Sequence, residues 1–314
     1  MWILLVICVL QLYVAKAVED QFGSFGKVLV IVYGSLRGGP AAWASLNRFI
    51  VDYYKADLAL LSPPITNALQ MKYLGKRAKY TWPVHEYGLY DWGVVLDEAV
   101  TDANEKGRWM ELCNHGASFL GASYHCNDGD ALNANSSAGI LLALRYLASV
   151  KIQKLRLEQE YDWFVYTRSD YVYLCSPPPI YTLRNDTMHI PRGESWFGYT
   201  DRYSITPSRL VLRSLNVTAD IVNDWRTWVT ILTTNPKEGK GLRMIEWCLG
   251  KYYAKSGIEV TTFVHTGFTV QSPEDESRFA LSTHDSILQH YNLRVKYHRE
   301  KIEAEEGKQN ASHF

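Results

Sequence analysis

Two runs of residues constrain this chain more than anything else in it. Lys27-Val28-Leu29-Val30-Ile31-Val32-Tyr33 and Tyr161-Asp162-Trp163-Phe164-Val165-Tyr166-Thr167 are nearly continuous apolar, β-branched and aromatic stretches. Strands of that kind are buried on both faces of a parallel sheet, whereas a strand with one wet face alternates. Each run feeds directly into a polar turn, Gly34-Ser35-Leu36-Arg37-Gly38-Gly39-Pro40 after the first and Arg168-Ser169-Asp170 after the second. Past the first turn, Trp43, Leu46, Phe49, Ile50 and Tyr53 recur at three- and four-residue steps and predict a helix. Ala56 to Leu61, stopped by Pro63-Pro64, predicts a second short strand, so the chain opens as βαβ.

The rest reads with less regularity. A helix capped by Ser136 or Ser137 carries an apolar face through Ile140, Leu141, Leu144, Leu147, Val150 and Ile152 to about Leu155. Ile245 to Lys255 predicts another helix, and Ile258 to Val264 a strand. Gly93 to Leu96 is expected as the one strand in a loop-rich stretch from Ile65 to Leu132, and Trp196 to Ile205 as two short strands. Strand and helix alternate with no repeat, low-complexity stretch or linker to divide residues 18–300. The expectation is a single α/β domain, with a charged tail over 301–314 that frays beyond Glu303.

The first residues and the cysteines bear on the compartment. Trp2 to Val14 is an apolar run short of the ~20 residues a spanning helix needs. It ends in Ala15-Lys16-Ala17, the small-x-small arrangement of a cleavage site, so residues 1–17 read as a signal peptide or as a short anchor left uncut. Contact with a membrane is expected only in the second case. Four N-x-[ST] sequons, at Asn135, Asn185, Asn216 and Asn310, agree with a secretory route. Of the five cysteines, Cys113, Cys126, Cys175 and Cys248 lie past that segment. They permit two disulfides in three connectivities, with Cys113–Cys126 the local choice. None has C-x-x-C spacing, against a zinc site. Lys plus Arg and Asp plus Glu number 33 each, and with no basic patch the charge argues against a nucleic-acid partner.

Three segments have the makings of a site. Asp170 stands just beyond the carboxyl end of a buried strand, where open α/β sheets take ligands. A carboxylate there suits a hard divalent cation, and it equally suits pairing with Arg168. The Gly34–Gly39 turn lets the backbone approach an anion ahead of a helix start, with Arg37 offering a bidentate fork. Asp201-Arg202, inside the aromatic stretch Trp196-Phe197-Gly198-Tyr199-Thr200-Asp201-Arg202-Tyr203, presents paired polar groups over apolar faces. Glu246, opening a helix, is a candidate general base or a residue favoured by the positive helix end.

Taken in order, G-S-L-R at 34–37, Y-D-W-F-V-Y-T-R-S-D at 161–170 and I-P-R-G-E-S-W-F-G-Y-T-D-R-Y-S-I at 190–205 resemble a divergent group of GT-A-like glycosyltransferase domains. Its members read S-G-x-x-R, then Y-D-W-V-I-R-x-R-x-D, then a G-G-x-N-D-R-F-type segment. The resemblance spans roughly Lys27 to Val270. It implies a GT-A-like, Rossmann-related, mixed and mainly parallel sheet flanked by helices. It also implies transfer from a nucleotide sugar, a UDP-sugar first, to a hydroxyl of a glycan, glycoprotein or glycolipid in the Golgi or ER lumen, with Mn2+ or Mg2+ as cofactor.

By the same resemblance Asp170 stands where the metal carboxylate falls, and His265, or His284-Asp285, completes the metal shell. Gly34, Arg37, Arg168 and Arg202 bind the nucleotide sugar, and Asp201 orients the sugar or the acceptor. Two departures stand out. Tyr166 replaces an Arg that the pattern often has, and Arg168 occupies the place where D-x-D puts its first carboxylate. The second departure keeps a rival open, a secreted and catalytically silent glycan-binding protein. A serine hydrolase is disfavoured by the absence of G-x-S-x-G. The facing carboxylates of a glycosidase stay possible.

Overall fold

The strand expected at 27–33 forms β1 (Val28–Tyr33), buried at every position, and the sheet is assembled outward from it. The computed structural model describes residues 26–88, 91–121, 123–124, 137–193, 195, 197–234, 244–264, 266–273, 275 and 293–311. The segment 1–17, Cys126, Asn135, Trp196, His265 and His284-Asp285 lie outside them.

After β1 come α1 (Gly39–Leu46), β2 (Asp57–Ser62), α2 (Ala68–Tyr73), β3 (Ala78–Pro83), α3 (Gly93–Glu98) and the long α4 (Ala138–Leu155). Then follow β4 (Trp163–Arg168), β5 (Tyr171–Tyr173), β6 (Met188–Pro191), β7 (Tyr203–Pro207), α5 (Ser208–Leu215), α6 (Val217–Asn223) and α7 (Trp225–Thr234). The chain closes with α8 (Ile245–Lys255), β8 (Val260–Phe263), β9 (Gly267–Gln271), β10 (Arg294–Val295) and α9 (His298–Ala311).

The main sheet has seven strands in the order β3-β2-β1-β4-β7-β6-β8. β7 alone runs against its neighbours β4 and β6, and every other adjacent pair is parallel. The fold is therefore α/β with a mixed, mostly parallel sheet. β5, β9 and β10 form a separate antiparallel sheet.

Alternation along β1 sends its side chains to two cores. Leu29, Ile31 and Tyr33 pack with Leu142 and Leu144 of α4 and with Trp247 and Leu249 of α8. Val28, Val30 and Val32 pack with Trp43 and Leu46 of α1 and with Phe268 and Val270 of the small sheet. Burying each such Val, Leu or Ile is worth about 1.5–3 kcal/mol over leaving it exposed. This explains why a run with no polar relief sits at the centre.

Several expectations are corrected. Gly93–Leu96 is not a strand but the start of α3: Val94 is exposed while Gly93, Val95 and Leu96 are buried, a helical spacing. A Cβ at Gly93 would lie 2.5 Å from the Ser123 carbonyl, so close packing selects the glycine. Trp196 to Ile205 yields, among the described residues, one strand, which starts only at Tyr203. The segment expected to fray beyond Glu303 is helical to Ala311. The helix is docked at its start, where Glu300, Lys301 and Ala304 are buried and Glu300 Oε2 accepts from Thr269 N at 2.7 Å.

Of the disulfide candidates, Cys113 is disulfide-bonded, whereas Cys175 and Cys248 are free thiols. Cys248 is fully buried in the core of α4 and α8. Cys175 follows β5, on the other face of the sheet, within reach of the Lys308 charge.

Candidate functional site

β1 is flanked by β2 on one side and β4 on the other, so the chain order reverses at β1. Tyr33 is level with both Leu61 and Arg168. The turns leaving β1 and β4 therefore emerge side by side at the carboxyl edge, which is the switch point where open α/β sheets bind ligands.

The two turns are tied together. The Ser169 hydroxyl accepts from Arg37 N at 2.9 Å and donates to Ser35 O at 3.2 Å. Trp43 Nε1 donates to Arg37 O at 2.7 Å and anchors the turn to α1. Gly38 has φ +87°, and a Cβ there would sit 2.7 Å from Asp170 Cα and 3.0 Å from Ser169 O. Only glycine lets the loops approach this closely.

Between the turns lies a cleft of about 110 Å3. Its floor is Tyr33, Gly34, Ser35 and Arg37 from the β1 turn and Arg168 and Asp170 from the β4 turn. Ser137, Ile140, Leu141 and Leu144 from the amino-terminal half of α4 form one wall, and Glu86, Tyr87 and Trp92 another. Whole-ligand pockets run to roughly 300–1,000 Å3, so this enclosed space suits the charged part of a ligand.

The sequence singled out Gly34, Arg37, Arg168 and Asp170, and the structure brings these four together. Glu86, exposed on the rim, was not anticipated. Nothing local in the sequence pointed to it, because the strand before it, β3, carries no continuous apolar run.

Asp170 is buried and forked by Arg168, with Nε to Oδ1 at 2.9 Å and Nη2 to Oδ2 at 2.7 Å. Burial alone would raise its pKa, but the charge and hydrogen bonds of Arg168, with Lys296 and Arg37 behind them, hold it below the usual carboxylate value. Lys296 reaches the same place from β10. Its amide donates to Thr269 O at 2.9 Å, and the next residue of β9, Val270, donates from N to Asp170 O at 2.8 Å. Burial, followed by the Arg168 charge, pushes the Lys296 ammonium down to about 8.

Among the described residues the cleft gives the expected Mn2+ or Mg2+ a poor donor set, His265 and His284-Asp285 lying outside them. A hard cation needs several oxygen ligands. Here the one buried carboxylate has each oxygen engaged by a guanidinium, and Arg37 and Lys296 add like charge. Among the described residues, no group of three or more His, Cys, Asp or Glu is placed to hold a metal ion.

Asp201, Arg202 and Glu246 are not on the cleft. They form a buried network behind it at the start of β7. Tyr33, whose ring stacks on Tyr166 at 3.9 Å, donates its hydroxyl to Asp201 O at 2.6 Å. Arg145 of α4, also unanticipated, points Nη2 at the same carbonyl at 3.3 Å and lies over the Tyr166 ring.

Arg202 Nη1 is 3.7 Å from both Asp201 Oδ1 and Glu246 Oε1, and its Nε is 3.0 Å from Glu300 Oε1. Its guanidinium covers the Tyr297 ring. Burial first, then the Asp201 charge, raises Glu246 to about 8 despite Arg202. Glu246 is thus a proton-holding group, buried among the described residues.

Asn185 and Asn216 are exposed, and Asn310 lies on α9. Among the described residues no helix is long and apolar enough to cross a membrane. The chain matches no known protein family and has no significant similarity to any curated protein.

Proposed function

We propose that the cleft is the donor site of a glycosyltransferase, which moves a sugar from a nucleotide sugar, a UDP-sugar first, to a hydroxyl of a glycan, glycoprotein or glycolipid. The observation that carries this reading is the convergence of Arg37 and Arg168 on a glycine-opened cleft at the switch point of the sheet. Guanidinium forks match phosphate oxygens two at a time. The enclosed volume takes the diphosphate, with base and sugar reaching past it.

In the transfer, the bond from the sugar's anomeric carbon to the diphosphate oxygen breaks and its electron pair leaves with the diphosphate. The acceptor oxygen bonds to that carbon, and its proton passes to a base. The transition state is oxocarbenium-like. Groups that favour negative charge on the departing diphosphate therefore stabilise it more than the ground state. Arg37 and Arg168 are those groups here. The main chain at Asp201, which accepts from the Tyr33 hydroxyl, positions Tyr33 on the cleft. Glu86 is the exposed carboxylate on the side open to an acceptor.

A lumenal or secreted location belongs to the same proposal, supported by the Cys113 disulfide and by exposed Asn185 and Asn216. A mobility shift on treatment with a peptide N-glycanase tests it.

The second reading, a catalytically silent glycan-binding protein, is favoured by one observation: the carboxylate expected to act as base, Glu246, is buried among the described residues and does not line the cleft. Calorimetric titration with UDP, GDP and CMP, followed by assay of sugar release from the matching donors, separates the two. Binding with release supports the transferase. Glycan binding without nucleotide binding would leave the silent protein as the reading.

A further inference from the structure

Taking the cleft as a nucleotide-sugar donor site, we propose that it holds the nucleoside diphosphate with side-chain cations in place of a divalent metal ion. Arg37, Arg168 and Lys296 supply the counter-charge, and Asp170 serves to aim the Arg168 fork.

The inference deepens the donor-site reading and rests on it. Its basis is what surrounds Asp170. Arg168 ends β4 and closes two bonds on the Asp170 carboxylate, so the guanidinium is fixed while part of it still faces the cleft, 17% of the side chain being exposed. Arg37 is held on the opposite turn by Trp43 and Ser169. Lys296 is placed by the register of β10 on β9, Val295 against Val270, two main-chain hydrogen bonds from Asp170. Arg37 and Arg168 line the cleft itself, and Lys296 lies close enough behind them for its charge to act on Arg168, Asp170 and Arg37.

Among the described residues three acids oppose them. Asp170 is neutralised by its partner, Asp275 Oδ2 is taken up by the Gly38 and Ser272 amides at 3.0 and 2.8 Å, and Glu86 stands on the exposed rim. A divalent cation entering here would have to displace a bidentate guanidinium and sit beside two further positive charges. An anion meets the same charges as attraction. The amino end of α4, whose preceding residue Ser137 lines the cleft, adds a dipole of the same sign. A diphosphate leaving with its electron pair would then be stabilised by fixed charges that need no reorganisation.

The test uses the full mature chain and titrates UDP and GDP by calorimetry, once in EDTA and once in excess Mn2+. The expected result is binding in EDTA with an affinity that Mn2+ does not improve. Lys296→Met and Arg37→Gln should each weaken it about tenfold, the loss of one charge-assisted contact.

Asp170→Asn gives the sharpest contrast. If Asp170 only aims Arg168, the variant still binds in EDTA, because the guanidinium keeps its charge. If Asp170 is a metal ligand, the variant does not bind. Binding by the wild type that appears only with Mn2+ would overturn the proposal and leave the donor site intact. No binding of either nucleotide in either buffer would remove the donor site and the proposal together. The wild-type comparison needs no variant to fold.

Discussion

Glu246→Gln turns the buried network behind the cleft into a measurable pH dependence. The network holds three acids, Asp201, Glu246 and Glu300, and two bases, Arg145 and Arg202, all buried. With Glu246 protonated the charges balance, and with it ionised they do not. The first turn of α8 favours the ionised form, but a helix end contributes only about 0.3–2 kcal/mol, and burial beside the Asp201 carboxylate outweighs it. The folded protein therefore binds the Glu246 proton up to about pH 8, against 4.5 for an ordinary glutamate.

A raised folded-state pKa stabilises fully below the unfolded value and loses that contribution as pH rises through the folded value. Stability should fall with pH across this window by up to ~1.4 kcal/mol per pH unit, on the order of 5 kcal/mol in all. Glutamine copies the protonated acid and has no proton to lose. In urea unfolding from pH ~5 to ~8.5, the variant should match the wild type at the acid end and pull ahead as pH rises. Groups that titrate in both proteins cancel in the difference. Parallel curves, or a variant less stable than wild type at pH ~8, would show that Glu246 is ionised and paired with Arg202, and the reasoning would fail.

Other consequences follow from contacts already described. Gly38→Ala places a side chain at φ +87° against the Asp170 backbone. It should cost at least ~1–2 kcal/mol, read as a lower melting temperature, together with weaker nucleotide binding because the two turns part. A chain ending at Tyr297 loses Glu300, leaving the buried Arg202 without its nearest carboxylate. Removing one partner of a buried pair costs roughly 3–5 kcal/mol, so the truncated protein should accumulate as insoluble material while the single Glu300→Gln variant shows a smaller loss. Nucleotide affinity should decline as pH rises past about 8, where Lys296, facing Arg168, Asp170, Arg202 and Arg37, gives up its proton. The decline should be absent from Lys296→Met.

The parts of this fold that could be read in advance were those whose signal is local. β1 and β4 announce themselves as unbroken apolar runs, and α4 and α8 as three- and four-residue periodicities, because burial on both faces or on one stripe is written into neighbouring residues. β3 was missed because it stands at the sheet edge, with Lys79, Thr81 and Pro83 exposed; no continuous run marks it. β6 is four residues long and ends in Pro191. α3 was read as a strand because Val94-Val95 carries β propensity, and tertiary packing overrode that preference. Arg37, Arg168 and Asp170 were legible because strand ends are where open sheets bind. Arg145, Lys296 and Glu300 were not, because each reaches the site from an element distant in sequence.

One feature of the site was decidable from spacing alone. Residues two apart at the end of a strand project to the same side. A D-x-D there presents two carboxylates to a common point and invites a cation to bridge them. An R-x-D presents a cation and an anion to that point, and they satisfy each other, as Arg168 and Asp170 do with two bonds of 2.9 and 2.7 Å. Exchanging the first acid for arginine thus removes the net negative charge by which the strand end would attract a cation. With the carboxylate neutralised by its neighbour, the remaining field comes from Arg37, Lys296 and the amino end of α4, opposed by Asp275 on the Gly38 amide and Glu86 on the rim. The proposed preference for an anion therefore rests on the cations nearest the floor of the cleft, Arg37 and Arg168.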